Sequence, residues 1–460
     1  MNPTAIAEQL ANLRRYFDSG VTKSYDFRLQ QLKKFKKSIL DHEEEIYDAL
    51  YADLKKSREE TWVTETGIVI AELNTAIKNL RRWMQPEPAA TNLVNLPSGS
   101  RILREPMGVV MIIGPWNYPF QLLLNPFLGA IAAGNCVVLK PSEFAPATDA
   151  IMKTIIEEVF PKEYVLYVQG EGSATIPVMM NDFRFDHIFF TGSTAVGKII
   201  YKMAAEKLVP VTLELGGKSP CIVEEDADIK VAARRIAMTK FSNAGQMCIA
   251  PDYVLVHETK KEVFLKALGH SLTQFFGEKA EESYNYCKII NEKQFDRVAG
   301  YLSQGTIFYG GRTDKKSLFI EPTVLTGIPD NASVMKEEIF GPVLPVITFS
   351  TATEARSIIE KNPNPLSFYV FTSSRKKERE WLDSVSFGGG CVNNASWHFT
   401  NYHLPFGGRG MSGMGHFHGR YSFETFSHKK AIMKTPTWFD PNIKYPPFKG
   451  KLKLFKWVIR

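Results

Sequence analysis

Two short segments hold side chains suited to attack on a carbonyl. Cys248 lies in Phe241-Ser242-Asn243-Ala244-Gly245-Gln246-Met247-Cys248-Ile249-Ala250, and Glu214 in Leu213-Glu214-Leu215-Gly216-Gly217-Lys218-Ser219-Pro220. The attacking species is the thiolate, and an ordinary cysteine is only a few per cent ionised near neutrality. A carboxylate beside it can take that proton, or later take one from a water that hydrolyses a thioester. Free cysteine is also a common buried residue. Cys136, Cys221, Cys287 and Cys391 lie in or beside apolar stretches and fit that structural role. Gly245-Gln246 before Cys248 and Pro251 after it point instead to a tight, irregular approach. Glu214 between two leucines is either a salt-bridge partner or a functional group with a raised pKa. The glycine pair after it lets a ligand come close to the backbone.

Three further segments suit a ligand crevice. Asn117, in Gly114-Pro115-Trp116-Asn117-Tyr118-Pro119, follows a strand end, where side chains of an open α/β sheet reach the ligand. It reads equally as a turn residue satisfying the backbone before Pro119. Lys140 and Glu143 close a second strand in Leu139-Lys140-Pro141-Ser142-Glu143. An acidic group there takes ribose hydroxyls and a basic one suits a 2′-phosphate, so NAD and NADP both stay open. A solvated charge pair is the plainer alternative. Gly192-Ser193-Thr194-Ala195-Val196-Gly197 follows a strand and opens a helix whose N-terminus can hold a pyrophosphate, although the full glycine fingerprint is lacking.

With Phe190-Thr191-Gly192-Ser193, Glu337-Glu338-Ile339-Phe340-Gly341-Pro342 and Leu404-Pro405-Phe406-Gly407-Gly408, these motifs resemble those of the aldehyde dehydrogenases, in the same order and over nearly the whole chain. Ala250-Pro251-Asp252-Tyr253, Ser422-Phe423-Glu424-Thr425-Phe426-Ser427-His428 and Tyr445-Pro446-Pro447 are similar to the class 3, fatty- and aromatic-aldehyde type. The resemblance implies that Cys248 attacks an aldehyde while the Asn117 amide and the Cys248 backbone N–H hold the oxyanion. Losing one such donor typically costs ~3 kcal/mol. It implies that Glu214 activates the water that releases the acid. It sets Trp116, Lys140, Glu143, Gly192, Ser193, Gly197, Glu338 and Phe340 on the cofactor, with Glu338 on the nicotinamide ribose. NAD is favoured by Glu143 and NADP tolerated. Leu404 to Gly408 would line the catalytic tunnel, where Arg409 follows in place of a smaller residue. Met247 and Ala244 depart locally from the family pattern and bear on pocket shape. No metal is implied, and the expected assembly is a homodimer. Rival readings are an enzyme passing its thioester to coenzyme A, a catalytically idle structural protein on the same fold, and a membrane-anchored adaptor.

The elements that must position these residues follow from pattern. The chain has 460 residues, enough for two or three domains and a large core. Five scattered cysteines show no metal-ligand spacing and no disulfide framework, which fits a reducing compartment. The N-terminus enters a charged helical pattern without the apolar stretch of a signal peptide, so a cytoplasmic enzyme is expected. Residues 106–139 carry no charge, but interruptions such as Gly108, Gly114, Pro115, Asn117, Pro119, Asn125, Pro126, Gly129 and Gly134 make them a buried strand, turn, helix and strand. The formal charge is +7, and Lys444 to Arg460 holds six basic and no acidic side chains, leaving +1 for the rest. That gives no case for a nucleic-acid enzyme and marks the tail, Lys449 to Arg460, as a candidate for peripheral contact with a membrane, docking on its own subunit or a partner being the plainer alternative.

Apolar positions at three- and four-residue intervals predict helices over residues 1–85. Strands alternating with helices then imply an α/β fold with two Rossmann-like, doubly wound domains. The expected division is 1–85 with 101–212 for the cofactor, 213–422 for catalysis, 86–100 with 423–450 as a small β extension for oligomerisation, and 451–460 as a basic amphipathic tail.

Overall fold

The computed structural model describes residues 3–459. Helices Pro3–Asp18, Tyr25–Asp41, Glu43–Leu54 and Gly67–Met84 fill the predicted N-terminal region. Gly20 follows the first with φ +77°, and Pro86 follows the last. They pack on a six-stranded sheet ordered Gly413–Met414, Val211–Glu214, His187–Thr191, Val109–Ile113, Cys136–Lys140, Val165–Tyr167. The last five are mutually parallel, and Gly413–Met414 joins antiparallel. From Val109–Ile113 the chain winds outward to one side, then returns to build the other. The crevice at the carboxyl ends of Val109–Ile113 and His187–Thr191 is therefore the topological switch point, where such sheets bind ligands.

The charge-free run forms the middle of this sheet. Val109–Ile113 and Cys136–Lys140 are buried throughout, as is the helix Pro119–Ala133 between them. Pro119 opens that helix at a position where its missing N–H costs nothing. Gly134 ends it at φ +93°, with Arg28 so close that a Cβ would lie 2.5 Å from the guanidinium. Being buried on every face explains why the segment is apolar all round. No described helix is long and apolar enough to cross a membrane.

A second sheet runs Thr306–Tyr309, Thr323–Thr326, Val343–Phe349, Tyr253–His257, Pro220–Val223, Ser367–Phe371, Gly389–Val392, parallel except for the first strand. A third, of Glu87–Ala89, Gly99–Pro106 and Ser427–Lys434, is antiparallel and joins the two stretches that fit neither α/β alternation. The division expected at 212/213 cuts through the strand Val211–Glu214, which belongs to the first sheet to its last residue. The expected edge at 422 is also displaced. Phe406, Phe417, Phe423 and Phe426 all sink into the core of the first sheet. The chain thus leaves the second sheet after Gly389–Val392 and returns to close the first. Pattern gives no sign of that return, because the residues from 393 to 419 contain only short irregular elements.

Candidate active site

Glu214 is the last residue of its strand, paired in register with Thr191 and Gly413. Its side chain is 3% exposed, and neither carboxylate oxygen has a hydrogen-bond partner among the described residues. Burial alone pushes its pKa well above the usual carboxylate range. Such a group binds a proton tightly, which is what a base acting near neutrality requires.

Cys248 reaches the same place from the second sheet. The helix Ile229–Phe241 ends in Asn243, Ala244 and Gly245, with φ of +50°, +50° and +72°. A Cβ on Gly245 would lie 2.3 Å from the Gly341 carbonyl, so this turn admits only glycine. Side chains brace it. Asn243 donates through Nδ2 to the carbonyls of Asn117 (2.8 Å) and Gln246 (3.2 Å), and its backbone N–H donates to Glu60 (2.8 Å). The Asn117 amide donates to the Gln246 carbonyl at 3.0 Å. Gln246 in turn donates to Lys288 O and accepts from Ile290 N, both at 3.0 Å. Cys248 itself is partly exposed. Burial of its sulfur, then the charges of Glu338 and Glu214, push the thiol up in pKa.

The two residues share a cavity of about 280 Å³, lined also by Trp116, Asn117, Thr191, Gly192, Ser193, Gly216, Gln294, Arg297, Glu338 and Phe340. Trp116 and Phe340 meet edge to face, with ring centroids 5.3 Å apart. Glu338 has one oxygen buried without a partner, and burial, then Asp252, pushes its carboxyl up to about 8. The Glu338 segment is fixed from behind. Arg297 donates to the Glu338 and Ile339 carbonyls at 3.1 and 2.9 Å. Lys218 pairs with Asp252 and donates to Val334 O and Glu337 O, and Asp252 accepts from Ile339 N at 3.0 Å. Gly216 faces the Glu338 carboxylate so closely that a Cβ would lie 1.9 Å from it.

The remaining expected residues divide. Gly192 and Ser193 line the cavity, although the Ser193 hydroxyl also caps the following helix by accepting from Val196 N. Gly197 lies behind, where a Cβ would meet Leu215 at 2.6 Å. Lys140 and Glu143 are at the carboxyl rim but outside the lining. Lys140 is 1% exposed and bonded to Pro141 O and Glu143, whose other oxygen accepts from Gly172 N at 3.1 Å. Arg409 is exposed and lines neither this cavity nor the one behind Cys248. That second, smaller and apolar cavity includes Leu122, Met247, Ile249, Phe406 and Phe417, so Cys248 is open on two sides. Among the described residues no group of histidines, cysteines and carboxylates could hold a metal ion.

Sequence reasoning missed Asn243, Gln246, Glu60, Lys218, Asp252, Gln294 and Arg297. Only Arg297, in the last turn of a short, strongly amphipathic helix, carried any local signal. The cavity suits a dinucleotide: glycines Gly192 and Gly216 open it, it lies at the switch point, and a buried carboxylate oxygen of Glu338 lacks a partner.

The aldehyde dehydrogenase family model matches residues 5–432. The 4,4′-diaponeurosporen-aldehyde dehydrogenase of Staphylococcus aureus is 43% identical, the match covering 98% of each chain. The dimeric NADP-preferring aldehyde dehydrogenase of Rattus norvegicus is 41% identical, covering 98% of this chain and 99% of its own. The substrate-bound structure of Staphylococcus aureus AldH superposes with a TM-score of 0.97 at 42% identity over 99% of each chain. NAD-dependent and NADP-complexed enzymes both stand among the solved relatives. A partly exposed cysteine and a buried carboxylate sharing the switch-point crevice thus have their explanation in descent: this chain belongs to the aldehyde dehydrogenase family.

Proposed function

We propose that Cys248 is the nucleophile, Glu214 the hydrolytic base and Asn117 an oxyanion donor in the NAD(P)-dependent oxidation of aliphatic or aromatic aldehydes to carboxylic acids. The observation that carries this is the meeting of Cys248 and a buried, unpartnered Glu214 in one cavity. The Cys248 sulfur adds to the aldehyde carbon, giving a tetrahedral thiohemiacetal whose oxygen the Cys248 N–H and the Asn117 amide hold. That role asks the amide to exchange its present Gln246 acceptor for the oxyanion. A nicotinamide held in the crevice would supply the two-electron acceptor for the hydrogen, with its electron pair, that leaves the former aldehyde carbon. The acyl group then stays on Cys248 as a thioester. Glu214 takes a proton from water, the hydroxide displaces the Cys248 thiolate, and the acid leaves. Glu338 would hold the ribose hydroxyls, Trp116 and Phe340 would line the place of the ring, Gly192 and Ser193 would let the phosphates approach, and Gly197 would keep the helix close against Leu215. Lys140 and Glu143 take the adenosine ribose, with NAD preferred and NADP accepted.

A base buried against the cavity favours water over coenzyme A, since a thiol acceptor has no need of it. A rapid-mixing experiment tests the scheme. Cys248→Ser is expected to form no NADH while binding cofactor about as tightly as the parent. Glu214→Gln is expected to release a burst of NADH and then turn over slowly. NADH from the serine variant, or a glutamine variant in which burst and steady rate fall together, would overturn the assignments.

We also propose a homodimer formed through the three-stranded sheet, in a reducing cytoplasm, with the basic tail resting on an anionic membrane. The five free cysteines support the compartment, and the exposed edge strand Ser427–Lys434 supports the dimer.

A further inference from the structure

Residues 56–66 line no part of the cavity that Cys248 and Glu214 share, yet their charged side chains reach the two segments that meet there. The short helix Arg58–Thr61 runs into a wider π-type turn, Trp62–Thr66, closed by Gly67 N donating to Trp62 O. Such turns are rare inside helices and recur at functional sites.

Glu65 sits in that turn, fully buried. One of its oxygens accepts from Lys56 Nζ at 2.7 Å, and neither side chain is exposed. The other accepts from Gln121 N at 2.9 Å, one of the N–H groups that the start of the helix Pro119–Ala133 leaves without an intrahelical acceptor. A carboxylate there also complements the helix dipole. Lys56 Nζ lies 4.2 Å from the centre of the Tyr118 ring. The pair therefore grips the helix start directly after Asn117. Glu60, five residues before Glu65, reaches the other segment. Its Oε1 accepts from Asn243 N at 2.8 Å, and its Oε2 accepts from Cys287 Sγ at 3.5 Å. Burial raises both carboxyls in pKa, and the Lys56 charge is the largest influence holding each down. The backbone makes a parallel link: Lys288 N donates to Leu54 O at 2.9 Å, while Lys288 O accepts from Gln246.

A buried ion pair by itself says little about function. What sets this one apart is where the carboxylates end. One holds a backbone N–H beside the oxyanion donor, and the other holds a backbone N–H in the turn that presents the thiol. We propose that Glu60 is a positioning residue which, with Lys56 and Glu65, ties the turn before Cys248 to the helix start after Asn117 and so sets the spacing of nucleophile and oxyanion donor. This rests on the roles given above to Cys248 and Asn117.

The test measures single-turnover NADH formation in Glu60→Gln and Glu60→Met, with full-length enzyme in excess over pentanal and NAD saturating. Glutamine keeps an oxygen that can accept the Asn243 N–H, whereas methionine has similar length and no such acceptor. Glu60→Met is expected to slow NADH formation about tenfold, within the 10²-fold that a displacement of about 1 Å can cost. Glu60→Gln should stay within about threefold of the parent, and NAD should bind both variants within about threefold of its parental affinity. Equal rates in the two variants, parental or reduced, overturn the proposal, as does NAD affinity falling in step with the rate. Should Glu60→Met not fold, Glu60→Asp decides. It keeps the charge beside Lys56 but falls one methylene short of Asn243, so the same slowing is expected and a parental rate overturns the clamp. NADH formed by Cys248→Ser overturns the parent reading, and the clamp with it.

Discussion

Burying Glu214 without a partner stores free energy at the site. A carboxyl whose folded pKa is raised binds its proton more tightly in the folded than in the unfolded chain. Its contribution is neutral at pH below the ordinary carboxylate range. It becomes a penalty as pH climbs from that range towards the raised folded value. Replacing Glu214 by glutamine removes the titration while keeping the shape. The variant is expected to be more thermostable than the parent at pH 8, because the amide has no charge to bury, by about 1.4 kcal/mol for each pH unit of the raised range already crossed. The gain should shrink towards pH 5. Thermal midpoints across that range check it, and a parent as stable as the variant at pH 8 would refute the stored strain. The residues of this kind were legible in the sequence. Cys248 stands out by its irregular flanks and Glu214 by the glycine pair that follows it, and the motif resemblance joins the two. The groups that hold them were not, since Asn243 reaches Asn117, 126 positions away, and Lys218 reaches Glu337, 119 positions away, contacts that no local pattern shows.

The element that sets Cys248 is the left-handed turn after Ile229–Phe241. A non-glycine residue there gives up roughly 1–2 kcal/mol unless a short polar side chain compensates locally, and Asn243 does so with two hydrogen bonds. Asn243→Ala keeps the unfavourable φ and loses both bonds, the one to the Asn117 backbone included. A displacement of about 1 Å at the reacting atom can cost 10²-fold. The variant is therefore expected to lose about 100-fold in kcat while NADH affinity, read by fluorescence titration, stays within about threefold. Equal loss of both would mean that the turn supports the whole crevice rather than the nucleophile. At this scale the sequence was readable where pattern is strong. Lys261–Phe276 forms over the residues its periodicity marks, and Val109–Ile113 and Cys136–Lys140 follow their apolar runs. Gly389–Val392 escaped notice because two of its four residues are glycine and none is fully buried. The return of residues 404–426 to the first sheet escaped, because their aromatic side chains belong to a core built from residues some 200–300 positions earlier.

For the whole molecule, the segment after Asp440 is what the α/β body does not absorb. Leu452–Val458 is a single short helix, and Arg460, the sixth basic residue of the tail, lies outside the described residues. Phe448 and Phe455 pack on each other, and Lys451 donates to Tyr445 O, so the segment is folded on itself. Even so, Leu452, Trp457 and Ile459 are 62%, 71% and 72% exposed, beside Lys449, Lys453 and Lys456. A tryptophan and aliphatic side chains interleaved with lysines, with no acidic residue among them, suit the interface of an anionic bilayer. Each basic side chain near such a surface contributes about 1 kcal/mol, so the five described lysines from Lys444 on give roughly 5 kcal/mol. An aldehyde formed in lipid would then reach the enzyme without crossing water. The full chain is expected to co-sediment with vesicles containing phosphatidylserine at low salt and to be released as salt rises, because screening shortens the attraction. A version ending at Asp440 should stay in the supernatant. Sedimentation velocity on both versions separates the other use of the tail. If truncation turns a dimer into a monomer and leaves vesicle binding of the two versions equal, the tail is an arm for the partner subunit and the membrane proposal falls. If the dimer survives truncation and only vesicle binding is lost, the three-stranded sheet carries the assembly and the tail carries the lipid contact.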